Sequence, residues 1–162
     1  MLREVRVAHV ELSLSGAFVP QARTPAEAEF VANLERWTDT VAAAAEPCLI
    51  IDAQTMILAV SPSCAELLGL GKPAEATHQP LLDGGMLRLI DFTAGGGELA
   101  RPEMEKIPPV LAIRSGRLAR GLMRVQADPA DAPLTIDAIA TPLMDADQEV
   151  VASLTFVSAV RY

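Results

Sequence analysis

With 162 residues, 51% of them hydrophobic and 21% charged, the chain is of one-domain size and can bury a core of Leu, Ile, Val, Ala and Met. Its 13 basic and 21 acidic residues give a formal net charge of −8, a sign that repels phosphate backbones and argues against nucleic-acid binding. No apolar run is long enough to span a membrane, "MLREVRVAHVELSL" lacks a signal-peptide core, and Cys48 and Cys64 have neither disulfide-framework nor zinc-ligand spacing. A cytoplasmic protein with two buried thiols is therefore expected.

Residues 1–23 form an N-terminal extension. Val5, Val7, Val10, Leu12 and Leu14 alternate with polar residues, which predicts a strand, before Gly16 and Pro20 break the pattern. An extra strand, an arm reaching another copy and a flexible tail are all compatible with it. At "TPAE", Thr24 is placed as helix N-cap, Pro25 at the first position and Glu27 at the third, a capping box. The helix is predicted to run to about Ala45 and to stop before Pro47, so that 24–46 is one amphipathic unit. Its apolar residues Phe30, Leu34, Trp37, Val41 and Ala44 are spaced 4, 3, 4 and 3, a heptad seam. That seam can pack on the protein's own sheet or against a second copy.

"CLIID" and "MILAVS" flank the turn-prone Ala53-Gln54-Thr55 and predict a hairpin. "SPSCAELLGLG" restarts a helix with Ser61 as cap, Pro62 at the first position and Gly69 or Gly71 as the stop. Short helices and turns are expected over 71–102, and "EMEKIPPVLAIRSG" predicts a helix kinked or restarted at Pro108-Pro109 and closed by Gly116. Three long strands follow in "RLARGLMRVQ", "PLTIDAIATPL" and "EVVASLTFVSAV", joined by the turns "ADPADA" and "MDADQE". The order predicts an α+β domain with one five-stranded antiparallel sheet and the helical middle on one face. Leu118, Leu122, Ile139, Val151 and Val157 are then expected on the outer face, where the helix over 24–45 can cover them.

In "EPCLIIDAQTMILAVSPSCAELLGL", "VLAIRSGRLARGLMRV" and "IDAIATPLMDADQEVVASLTFVSAV", in that order, the chain resembles the PAS domain family over about residues 40–160. The resemblance implies a PAS-like domain over 47–162 in which short central helices lie on one face of the sheet. Gln54-Thr55 and Gln148 stand where the family commonly has Gly, and Ser61 where many members have Asn. Ala159, Val160 and Arg161 replace the triplet by which members couple the sheet to an output helix. With Tyr162 as the last residue and no attached effector, output is expected to pass through an interface.

PAS-like domains can hold haem, flavin or metabolites, but the residues name no cofactor here. Helix 103–115 has no His for haem, His78 lies elsewhere, and the flavin-reactive Cys segment is missing. No spacing enforces a Cys64–His78–Asp83 or Asp91 trio or an Asp52–Asp83 pair, and the glycines at 95–97 lack the sequel of a phosphate loop. No enzyme activity and no metal site is expected. Ile50, Leu58, Leu67, Met86, Leu89, Val110, Met123, Ile136 and Phe156 are the candidate inward residues for a small apolar ligand. Small residues at Ala119, Gly121, Ala138, Ala140 and Ala152 leave room beside them. The dimer candidates are Phe30, Leu34, Trp37 and Val41. The expected function is a non-catalytic sensory or regulatory domain, homodimeric, binding a small apolar ligand or a separate effector protein. The alternative is a protein–protein interaction module with a filled core and no ligand.

Overall fold

The computed structural model describes residues 24–82, 84 and 86–161. The strand or arm expected over 1–23 lies outside them, as do Asp83, Gly85 and Tyr162.

Helix α1 spans Pro25–Ala42. The Thr24 side chain accepts from the Glu27 backbone N–H at 3.2 Å, and Glu27 Oε2 accepts from the Thr24 N–H at 2.7 Å. Both halves of the capping box are therefore made. The helix stops three residues before the expected end, with Ala43 as its cap. Strands β1 (Cys48–Asp52) and β2 (Ile57–Val60) form the hairpin. In its turn Asp52 Oδ1 accepts from the Gln54 and Met56 N–H groups, each at 2.9 Å. These bonds hold Thr55 in the left-handed region at φ 63°, a conformation that costs a β-branched residue free energy.

Helix α2 (Pro62–Leu68) is capped by Ser61 and ends at the left-handed Gly69. A Cβ at Gly69 would lie 2.5 Å from the Ala127 Cα, so glycine is required there for space as well as for φ. Helix α3 (Pro73–Ala76), strand β3 (Leu89–Ile90) and helix α4 (Arg101–Met104) follow. Helix α5 (Pro108–Ser115) restarts at the proline pair and closes on Gly116. Strands β4 (Ala119–Val125), β5 (Leu134–Met144) and β6 (Val150–Ala159) complete the chain.

Among the described residues the sheet has six strands in the order β2-β1-β6-β5-β4-β3, every neighbour antiparallel. This corrects the expected five. The sixth strand, β3, is only two residues long, too short for alternation to reveal, and exists because Leu89 and Ile90 pair with Val125 and Arg124.

The inner face and the helices α2 to α5 enclose the main core, where Leu49, Ile51, Ile57, Leu68, Leu70, Leu81, Met123 and Ile136 are buried. Helix α1 lies across β1 and β2 on the other face. There Val41 packs in a second cluster with Cys48, Ile50, Ala59, Ala152 and Leu154.

Candidate functional site

The two faces of the sheet follow from its register. On β5 and β4, Ile136 pairs with Met123, Ala138 with Gly121 and Ala140 with Ala119, all facing inward. On β6, Val157 and Thr155 pair with Ala138 and Ala140 and share that face, which turns Phe156 and Leu154 outward. Strand β1 continues the pattern: Leu49 pairs with Thr155, while Cys48 and Ile50 pair with Phe156 and Leu154.

Three of the nine expected pocket residues are therefore misplaced. Ile50 and Phe156 belong to the outer face, because β1 and β6 are apolar in both phases and only pairing selects one. Leu58 packs with the outer cluster, displaced by the irregularity between Ile50 and Ile51 in the hairpin register. Val157, expected outside, is buried in the inner core. Leu89, Val110, Met123 and Ile136 lie within that core, and Leu67 and Met86 pack against it half-buried.

The small residues leave less room than expected. Ala112 of α5 packs directly on Ala119 and Ala140. A Cβ at Gly121 would meet Pro108 Cγ at 3.4 Å, and Ser153 Oγ donates to the Pro109 carbonyl at 2.8 Å. Small side chains on β4 and β5 bring α5 close to the sheet rather than opening space under it. Ala152 lies on the opposite face, in the cluster beneath α1.

Among the described residues, the outer face is apolar and only partly covered. Val41 is 2% exposed, but Trp37, one turn earlier on the same helical face, is 46% exposed. Phe30 and Leu34 are half-buried. Beyond α1, the row Phe156–Ile139 and the neighbouring Leu122 are 48%, 36% and 53% exposed, and Leu118 is exposed beside them. Within this patch, between Ile139 and Leu122, Arg120 and Asp137 form a two-pronged ion pair, with Nη2 to Oδ2 at 2.6 Å and Nε to Oδ1 at 3.2 Å. Arg120 holds the Asp137 carboxyl below the usual carboxylate range, and Asp137 in turn raises the guanidinium.

Of the titratable groups considered, Asp83 lies outside the described residues and Asp52 accepts within the hairpin turn. Cys64 is fully buried, and burial pushes its thiol up to about 12, with a smaller push from Cys48. His78 is exposed, and Asp91 accepts from the Thr93 backbone N–H and hydroxyl. Among the described residues no three His, Cys, Asp or Glu side chains gather closely enough to hold a metal ion. Among them, too, no helix is long and apolar enough to cross a membrane.

Among the described residues, clefts open at two places on the rim of the inner layer. One, of 290 Å³, lies between α4, α5 and the hairpin turn, with Thr55, Met104, Val110 and Ile113 in its wall. The other, of 670 Å³, lies between α2, the residues leading into β1, and the ends of β4, β5 and β6. Of the expected pocket residues it takes in Leu67 alone. Nothing in the alternation of the strands marks this cleft, because loop residues supply much of its wall.

No protein-family model and no curated protein matches this chain. Solved structures do. The PAS domain of a protein from Colwellia psychrerythraea superposes with a TM-score of 0.54 at 16% identity, covering 79% of this chain and 97% of its own. The PAS domain of BvgS from Bordetella pertussis gives 0.50 at 10% identity, over 80% and 87%. The Vibrio cholerae VqmA dimer gives 0.51 at 11% identity, over 81% of this chain and 51% of its own. At such identities the likeness is one of fold. This chain has a PAS-like fold, with six antiparallel strands among its described residues where five were expected.

Proposed function

We propose that the chain is a non-catalytic sensory or regulatory domain that acts in the cytoplasm as a homodimer and signals through its outer sheet face. The observation that carries this reading is the set of exposed apolar side chains on this face: Trp37 on α1, Phe156 paired with Ile139 across β6 and β5, and Leu122 on β4. Apolar side chains this exposed, and continuous with a buried cluster, mark a surface that associates. In a dimer the seam of Phe30, Leu34, Trp37 and Val41 and the uncovered strands β4 to β6 would protect each other. The likeness to a protein solved as a dimer, VqmA, supports the arrangement. A separate effector protein would compete for the same face.

A small apolar ligand would enter between the sheet and the central helices, beside Leu67, Met86, Leu89, Val110, Met123 and Ile136. The close seating of α5 on Ala119, Gly121 and Ala140 favours a second reading, an interaction module with a filled core and no internal ligand.

Two measurements decide among these. Sedimentation velocity on the wild type is expected to give a dimer, with Trp37→Glu and Phe156→Glu each giving a folded monomer. A wild-type monomer, or variants that remain dimeric, would retire the interface. Native mass spectrometry of protein purified from its host separates the sensor, which carries a reproducible added mass, from the module, which carries none.

A further inference from the structure

The 670 Å³ cleft has two walls that hydrogen bonds hold in place. On one side Ser63 Oγ donates to the Ala45 carbonyl at 2.9 Å and Ser61 Oγ to the Glu46 carbonyl at 2.8 Å. The Val157 N–H donates to the Pro47 carbonyl at 3.0 Å. Residues 45–47 are thus fixed to the start of α2 and to β6. On the other side Gln126 Nε2 donates to the Asp131 carbonyl at 2.6 Å, and Asp128 Oδ1 accepts from the Ala130 N–H at 2.8 Å. These bonds shape the β4–β5 connection into the facing wall.

The floor between them is apolar. Val125 and Val157 are buried core residues whose edges reach the cleft, and Leu67 and Leu134 flank them half-buried. The rim is charged and unbalanced. It carries three carboxylates, Glu46, Glu66 and Asp131, against one guanidinium, Arg161, for a net of −2. None of the three carboxylates pairs with a cation among the described residues. The chain as a whole, these groups included, carries a net charge of −8. Together, an apolar floor under an acidic rim complements an apolar body with a cationic head, and the volume is that of a small-molecule site.

We infer that this cleft binds a small amphiphile carrying one protonated amine, with its hydrocarbon body on Leu67, Val125, Leu134 and Val157 and its ammonium between Glu66 and Asp131. The site differs from the space between sheet and central helices, and it stands apart from the dimer reading. A wild-type protein found to be a monomer would leave the expectation here unchanged.

The test is a ¹H–¹⁵N NMR titration at neutral pH with octylamine, and with octanoate and 1-octanol as charge-inverted and neutral controls. Octylamine is expected to shift amides around Leu67, Val125, Leu134 and Val157 and to saturate on the order of 0.1–1 mM. The double variant Glu66→Gln/Asp131→Asn, altered at two exposed positions, is expected to weaken octylamine roughly tenfold while leaving 1-octanol unchanged. Ala132→Trp, which fills the cleft from an exposed loop position, is expected to abolish both. Octanoate binding as tightly as octylamine, shifts centred elsewhere, no saturable shift, or an unaffected double variant would each overturn the inference.

Discussion

The concave and convex faces of this sheet draw on alternate residues of the same strands, and they differ in what covers them. Ile136 and Ile139 lie three residues apart on β5. Ile136 is sealed beneath the central helices, while Ile139 is 36% exposed beside Phe156. The inner face is closed because four helices and the segment before β3 converge on it. Among the described residues, the outer face is closed only where α1 crosses β1 and β2. Equal hydrophobicity therefore does two jobs here: stability on one side, and a surface fit for association on the other.

The largest effect should separate the faces directly. In urea titrations at dilutions where the chain is monomeric, Ile136→Ala removes a fully buried side chain and is expected to cost about 3–4 kcal/mol of folding stability, whereas Ile139→Ala should cost less than about 1 kcal/mol. Equal costs would mean that the outer face is already covered in the folded monomer. Ser61 joins the two faces: its hydroxyl accepts from the N–H of Cys48, on the outer cluster, and of Cys64, in the inner one, and donates to the Glu46 carbonyl. Ser61→Ala takes this acceptor from the buried Cys48 and Cys64 N–H groups and should cost about 2 kcal/mol by the same measurement.

A smaller effect compares the thiols. Burial raises the Cys64 thiol to about 12 from 9.0, so the folded state holds that proton more tightly than the unfolded one. Its stabilisation is complete below pH 9 and is lost progressively as pH rises toward 12. Cys64→Ala should flatten that alkaline limb. Cys48 is also raised by burial, with Ser61 opposing the shift, and Cys48→Ala should flatten it less. The smallest effect belongs to the outer face. The Asp137 carboxyl is depressed by Arg120, so its contribution is present above the ordinary carboxylate range and is lost as pH falls through its lowered value. Asp137→Asn should remove only that acid-side loss, visible as a shallower decline in thermal midpoint below about pH 4.

Local chemistry explains which elements were legible. The Thr24–Glu27 capping box, the Ser61-Pro62 helix start, the restart at Pro108-Pro109 and the Gly69 and Gly116 stops each depend on a few neighbouring residues, and each is where the sequence predicts it. The inward residues of β4 and β5 were legible too. In β5 the alternation carries polar partners at Thr135 and Asp137, which mark the outer phase. Strands β1 and β6 carry no such mark: "CLIID" is apolar at four consecutive positions, and "VVASLTFV" offers Leu154 and Phe156 on one phase and Val151 and Val157 on the other. Choosing the wrong phase inverted Ile50, Phe156 and Val157 together. The cleft was illegible for another reason. Its walls meet from residues 46–47, 63–67, 125–134 and 157–161, and sequence spacing does not encode which loops converge.

Taken alone, the sequence determined the α+β class, the helix starts and stops, the hairpin and the antiparallel order of the long strands, because caps, turns and alternation act over a few residues. Only the tertiary structure decided which phase of β1 and β6 faces the helices, that Leu89 and Ile90 form a sixth strand, and how closely α5 sits on the sheet. Those outcomes depend on inter-strand pairing and on side-chain volumes meeting across the core, and both are properties of contacts between segments far apart in the chain.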